Sequence, residues 1–207
     1  MPVAGALGAG HIVARQVGLP RLAGLLKPLP IAVFAAMVWQ GPSLDGRYST
    51  LVVAGLVCSM VGDICLLEAD RFVAGLASFL VAHLLYIAAF ASGAPAGAAD
   101  AAVLAPFLAV AAVLTARLWQ RAGALRWPVA AYVAVISAMG WQAARRAGAP
   151  LTPEPSGVLA LAGALLFMTS DGLLAFGRFV RPFRAGDAAV MATYYAAQAL
   201  IALSAAG

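Results

Sequence analysis

Residues 50–67 read TLVVAGLVCSMVGDICLL, a run with one formally charged side chain, Asp63. A stretch of that length and character can cross the hydrocarbon core of a bilayer, which takes about 20 mostly apolar residues. The pattern recurs on both sides of it. Apolar spans are expected at 28–40, 72–92, 101–118, 127–144, 156–176 and 187–205, which with 50–67 makes seven. The first is short, and Lys27 at its edge is placed to lengthen it by snorkelling to the interface. Residues 3–14 leave room for a short eighth span at the N-terminus. Turn formers separate the spans at Gly41-Pro42-Ser43, at Gly93-Ala94-Pro95 and from Pro150 to Pro155. No linker is long enough to divide the chain. The expected fold is an all-α, polytopic transmembrane bundle forming a single domain over 1–207.

Composition excludes the soluble alternatives. Of 207 residues, 64% are hydrophobic and 10% charged, against roughly 45–50% and 25% in globular domains. Disorder fails for the same reason. Thirteen basic residues scattered over loops make no nucleic-acid surface. Residues 1–18 hold His11 and Arg15 in a short Gly-rich stretch and do not read as a cleavable signal peptide. Cys58 and Cys65 lie seven apart on one helix, a rise of ~10.5 Å that is too long for a disulfide.

Basic residues set orientation. Arg15, Arg21 and Lys27 precede the first clear span. The following loops carry Arg47, then Arg71, then none, then Arg117, Arg121 and Arg126, then Arg145 and Arg146, then Arg178, Arg181 and Arg184. Alternate sides total ten and three, so the ten-residue side is expected to be cytoplasmic. A faint internal echo accompanies this pattern. Gly62-Asp63-Ile64-Cys65-Leu66-Leu67 with Arg71-Phe72 matches Ser170-Asp171-Gly172-Leu173-Leu174 with Arg178-Phe179. Four spans separate the two elements, so a duplicated chain would run them in parallel.

Asp63 and Asp171 are the most informative residues. Each sits in an apolar helix, one to two turns before its cytoplasmic end. An Asp costs ~2.5–3.5 kcal/mol at the bilayer centre and less toward the interface. Such a residue either caps a neighbouring helix or serves a function. Two carboxylates sharing a low-dielectric site hold one proton unequally, which supplies an acid beside a charge stabiliser or base. His83 and Tyr86 share a face of the third span with Phe79 and Phe90. Tyr194, Tyr195 and Gln198 are pocket-lining candidates on the last span. Gly55, Cys58, Ser59 and Gly62 form a small-residue face that suits close packing within the bundle or in a homodimer. Arg71, Arg178, Arg181, Arg184 and Lys27 ring the cytoplasmic mouth, where they set topology or hold a lipid phosphate. Two histidines and no clustered Cys/His spacing make a metal unexpected. Without a GxSxG motif, a serine nucleophile is also unexpected, and no cofactor is implied.

At these residues the chain resembles the YhhN/TMEM86 family. The resemblance rests on Val61-Gly62-Asp63-Ile64-Cys65-Leu66-Leu67 to Arg71-Phe72, Gly75, Phe79 and His83-Leu84-Leu85-Tyr86 to Phe90. It rests also on Lys27-Pro28-Leu29, Ser170-Asp171 to Phe179, and Tyr194-Tyr195 with Gln198. It runs from about residue 20 to 205 and implies an eight-span protein of the bacterial inner (plasma) membrane. The implied activity is that of a lysoplasmalogenase, which hydrolyses the vinyl ether of a lyso-lipid to a fatty aldehyde and a glycerophospho-base. The chain departs from the family at its short, polar first span.

Vinyl ether hydrolysis needs a positioned acid and a nearby negative charge, as glycosidases do. Asp63 and Asp171 are the expected pair, and His83 or a tyrosine would orient water or a glycerol hydroxyl. Ser170, Tyr86, Tyr194, Tyr195 and Gln198 would line the substrate site, with Lys27, Arg71 and Arg178 near the headgroup. The partners expected are the lyso-lipid and surrounding membrane lipids. Three other uses of the aspartates remain open: an intramembrane aspartyl protease, though Met60 stands where its GxGD motif has Gly; a proton- or cation-coupled transporter; and a non-catalytic lipid-binding protein.

Overall fold

The computed structural model describes residues 1–41, 46–92, 100–149, 152 and 155–206. Its helices are α1 (Pro2–Gln16), α2 (Pro20–Leu26), α3 (Leu29–Gln40), α4 (Gly46–Cys65), α5 (Phe72–Ala91), α6 (Asp100–Trp119), α7 (Arg126–Ala147), α8 (Ser156–Phe179) and α9 (Gly186–Ala206). Short 3-10 turns at Ala69–Arg71 and Gly123–Leu125 lead into α5 and α7. Seven segments are long and apolar enough to cross a membrane, so the chain is an integral membrane protein. Most of the turns expected from Pro42-Ser43, Gly93-Ala94-Pro95 and Pro150 to Pro155 lie outside the described residues.

Two of the boundaries that differ from the sequence expectation bear on the site. The first span runs from Pro20 to Gln40, longer than 28–40, because α2 stacks directly beneath α3. The break between them falls at Lys27-Pro28. Pro28 and Pro30 have no N–H for the carbonyls of Gly24 and Leu26, and the carbonyl of Lys27 accepts the hydroxyl of Tyr195 at 2.9 Å. Lys27 itself does not snorkel outward. Its side chain is 12% exposed and turns inward. The second difference is α8, which continues to Phe179 and sets Asp171 just over two turns from the helix end. The N-terminal segment is helical over 15 residues, about 22 Å at 1.5 Å per residue, which is short of a full span. It packs on α2, α3 and α9.

Six helices form a ring of two like units. In each unit the middle helix packs on its two neighbours: α4 on α3 and α5, α8 on α7 and α9. The units meet where α5 packs on α7 and α9 on α3. The elements of the sequence echo meet at one end of this ring. Phe72 and Phe179 pack edge to face with centroids 6.4 Å apart, and the Arg178 guanidinium lies 4.7 Å from the Phe72 ring centroid. Glycine permits the close approaches. A Cβ on Gly62 would lie 2.7 Å from the Phe79 ring, and one on Gly163 would lie 2.7 Å from Ile201 and 2.9 Å from the Ala197 carbonyl oxygen. The small-residue face of α4 is therefore used inside the bundle, against α5.

Candidate functional site

Both aspartates face one chamber of about 1250 Å³. Lys27, Asp63, Phe79, Ser170, Asp171 and Tyr194 line its interior. Exposed Arg15, Arg21, Glu68, Arg178 and Asp187 stand around its mouth. These cations belong to the basic side of the sequence count. A salt bridge of 3.2 Å between Arg15 and Asp187 ties α1 to the start of α9 across this rim.

Asp63 is 2% exposed, near the end of α4. Its Oδ2 accepts the Tyr194 hydroxyl at 2.8 Å, and its Oδ1 lies 3.6 Å from Lys27 Nζ. The ammonium also donates to the Asp63 backbone carbonyl at 3.3 Å. The Lys27-Pro28 break brings this cation into the bundle at the depth of the carboxylate. A buried charge needs such pairing, because isolated it would be costly in low dielectric.

Asp171 has a different set. Its Oδ2 accepts the Tyr132 hydroxyl at 2.6 Å, and His83 Nε2 lies 3.8 Å away. The His83 side chain is fully buried, with its ring 4.6 Å from Phe167 and 5.3 Å from Tyr132, edge to face in both cases. Among the described residues its polar neighbours are Asp171 and, one helical turn back, the Phe79 backbone. The carboxylate of Asp171 is 16% exposed, more open than that of Asp63.

The two carboxylates thus share a chamber but not their partners. Each is held by one residue at or near the first helix of its own unit, Lys27 or Tyr132. Each is also approached by one residue from the last helix of the other unit, Tyr194 by a hydrogen bond or His83 at 3.8 Å. Tyr132 had no distinguishing mark in the sequence. It is one tyrosine in an apolar span, and only the packing of α7 on α8 gives it a role.

Other expected site residues fall elsewhere. Tyr86 and Gln198 are fully buried and bond to each other, the tyrosine hydroxyl donating to Oε1 at 2.8 Å. Tyr195 is bound to the Lys27 carbonyl. These three brace the chamber from behind. Ser170 lines the chamber, but its hydroxyl donates to the Val190 carbonyl at 2.9 Å, joining α8 to α9. Arg71 is exposed and outside the chamber lining, whereas Arg178 stands at the mouth.

Comparison with known proteins adds to this geometry. The model of the YhhN family matches residues 22–205. The chain is 40% identical over 185 residues to human lysoplasmalogenase TMEM86B, covering 88% of this chain and 75% of that protein. It is 36% identical to bovine lysoplasmalogenase TMEM86A, covering 89% and 78%. It is 32% identical to the uncharacterized membrane protein YhhN of Escherichia coli O157:H7, covering 87% and 85%. No solved structure matches the chain.

Proposed function

Because the chain belongs to the YhhN family, we propose that it is a membrane-embedded lysoplasmalogenase, cleaving the vinyl ether of lyso-ether phospholipids by carboxylate acid–base catalysis. The observation that carries this reading is the chamber itself: two aspartates on one cavity within an apolar bundle, with cations at its rim. An amphiphile with an anionic headgroup and a hydrocarbon chain matches that distribution of charge.

The chemistry follows from the pair. One aspartic acid gives its proton to the β-carbon of the vinyl ether, and the π electrons form the new C–H bond. The adjacent carbon becomes an oxocarbenium ion, facing the second carboxylate. Water adds its oxygen to that carbon and loses a proton to this carboxylate. The hemiacetal then breaks its bond to the glycerol oxygen, which takes the hydroxyl proton. Aldehyde and glycerophospho-base leave, and proton return through solvent restores the acid. Positioned proton transfer of this kind contributes about 10²–10⁴ in rate. Lys27 keeps Asp63 paired, and Tyr132 and His83 orient Asp171. Arg178 and the Arg15–Arg21 rim draw in the phosphate from the cytoplasmic side of a bacterial plasma membrane.

The test is aldehyde release by the detergent-purified protein from a lysoplasmalogen and from its saturated alkyl-ether analogue. Aldehyde from the vinyl ether alone supports the reading. No aldehyde from a folded preparation that binds the lyso-lipid overturns it in favour of a binding protein.

A further inference from the structure

Asp171 also borders a second cavity. This slot, about 410 Å³, lies between α5, α6, α7 and α8. Its walls include Leu76, Val110, Leu114, Ile136, Leu165 and Met168. Its few polar atoms come from Tyr132, Thr169, Asp171 and Arg178. It shares Phe72, Asp171, Leu174 and Arg178 with the larger chamber, so the two spaces adjoin across these four residues, Asp171 among them. The packing explains why the slot is on this side. The backbones of α4 and α9 pack directly, whereas α5 and α8 approach each other little, and α6 leans on α7 and only touches α8. Asp63 has no such neighbour space among the described cavities.

We propose that this slot takes the hydrocarbon chain of the lyso-lipid, which places the vinyl ether β-carbon against Asp171. The inference rests on the hydrolase reading for the identity of the bond, but the slot as a chain site stands on its own geometry. In a lysoplasmalogen the chain is attached directly to the β-carbon, and the glycerophosphate lies on the other side of the ether oxygen. A substrate with its chain in the slot and its phosphate at the arginine rim must therefore put that carbon where the two cavities join. If a methylene takes roughly the 30 Å³ of a liquid water, the slot holds on the order of a dozen. By volume it suits a single chain of about that length. Asp63, paired with Lys27 on the chamber side, then faces the glycerol and the attacking water.

Photolabelling tests this without turnover. The probes are two saturated alkyl-ether lysophosphatidylethanolamines, one with a diazirine at the terminal chain carbon and one with it two carbons from the ether. The protein is in nanodiscs of unlabelled phosphatidylcholine. The first probe is expected to mark residues of α6, α7 and α8 that line the slot, and the second to mark Asp171 or Tyr132. Gly172→Leu would fill the slot, since a Cβ at Gly172 meets nothing within 4 Å. It is expected to cut terminal-carbon labelling at least tenfold. Val110→Trp, on the lipid-facing side of α6, is the second variant with the same expectation. In turnover, either variant should lower the ratio of kcat/KM for a 16-carbon over a six-carbon substrate by about tenfold. Labelling of Asp63 or Tyr194 by the second probe overturns the proposal. So does slot labelling that excess phosphatidylcholine removes as well as the lyso-lipid does, which would mark a site for bulk lipid. A wild-type protein that labels in the slot but releases no aldehyde retains the chain site and defeats the hydrolase reading alone.

Discussion

The Asp63 half and the Asp171 half of the bundle share a frame and differ in chemistry. Each places an aspartate on the middle helix of a three-helix unit, and each accepts a tyrosine hydroxyl at hydrogen-bonding distance. On one side the next neighbour is an ammonium, Lys27, and the carboxylate is almost sealed. On the other it is a buried imidazole, His83, and the carboxylate opens onto both the larger chamber and an apolar slot. The difference teaches that a repeated frame need not give a repeated function. Two equal carboxylates would compete for one role. In the proposed mechanism, unequal partners would separate them into a charge held by a cation and an acid beside the substrate's chain.

The strongest way to break this comparison is to remove either charge. Asp63→Asn and Asp171→Asn are each expected to lower aldehyde release by about a hundredfold or more; the melting temperature in detergent should change little for Asp171→Asn and fall for Asp63→Asn, which leaves the buried Lys27 ammonium without its counter-charge. If only one variant is inactive, the pair acts through a single carboxylate. A sharper comparison uses the two hydroxyls. Tyr132→Phe and Tyr194→Phe each remove one bond to a carboxylate, worth about 1.5–3 kcal/mol, or roughly ten- to a hundredfold in kcat/KM at 1.36 kcal/mol per decade. The Tyr132 variant should lose kcat, and the Tyr194 variant should lose the larger share of folding stability, because its aspartate is the more deeply buried.

A smaller effect separates the packing of the two halves. Gly163→Ala would press a methyl group onto the Ala197 carbonyl and the Ile201 backbone nitrogen, and is expected to cost about 1–3 kcal/mol. Gly62→Ala has its nearest contacts on the Phe79 ring, a side chain rather than backbone, and is expected to cost less. Chemical denaturation of the two variants side by side gives the ordering, and equal losses would show that the ring is held as firmly as backbone. The smallest effect is expected at the rim. Arg15→Ala removes an ion pair whose side chains are 58% and 75% exposed, and stability should move by no more than about 0.5 kcal/mol.

The spans and the two aspartates were legible because each signal is local. An apolar run declares itself within its own length, and a lone Asp inside one stands out. The echo around Asp63 and Asp171 pointed to two like units, and the ring of helices has that arrangement. What the sequence hid depends on neighbours far along the chain. Lys27 reads as an interfacial lysine until the bend at Pro28 turns it onto Asp63, 36 residues away. Tyr132 reads as an ordinary core aromatic until α7 meets α8. Tyr86 and Gln198 read as pocket lining because each is polar within a span, yet the cross-bundle bond ties them to each other, away from the chamber.

The position of the mouth has a consequence for supply. The chamber opens, among the described residues, at the end that carries Arg15, Arg21 and Arg178. A site reached from one end samples one leaflet. Lipid in the opposite leaflet has to flip before it can be used, so in a sealed vesicle turnover would run in two phases, the first exhausting the accessible leaflet and the second set by transbilayer exchange. The orientation of the protein in the bilayer thereby decides which pool of lipid it consumes.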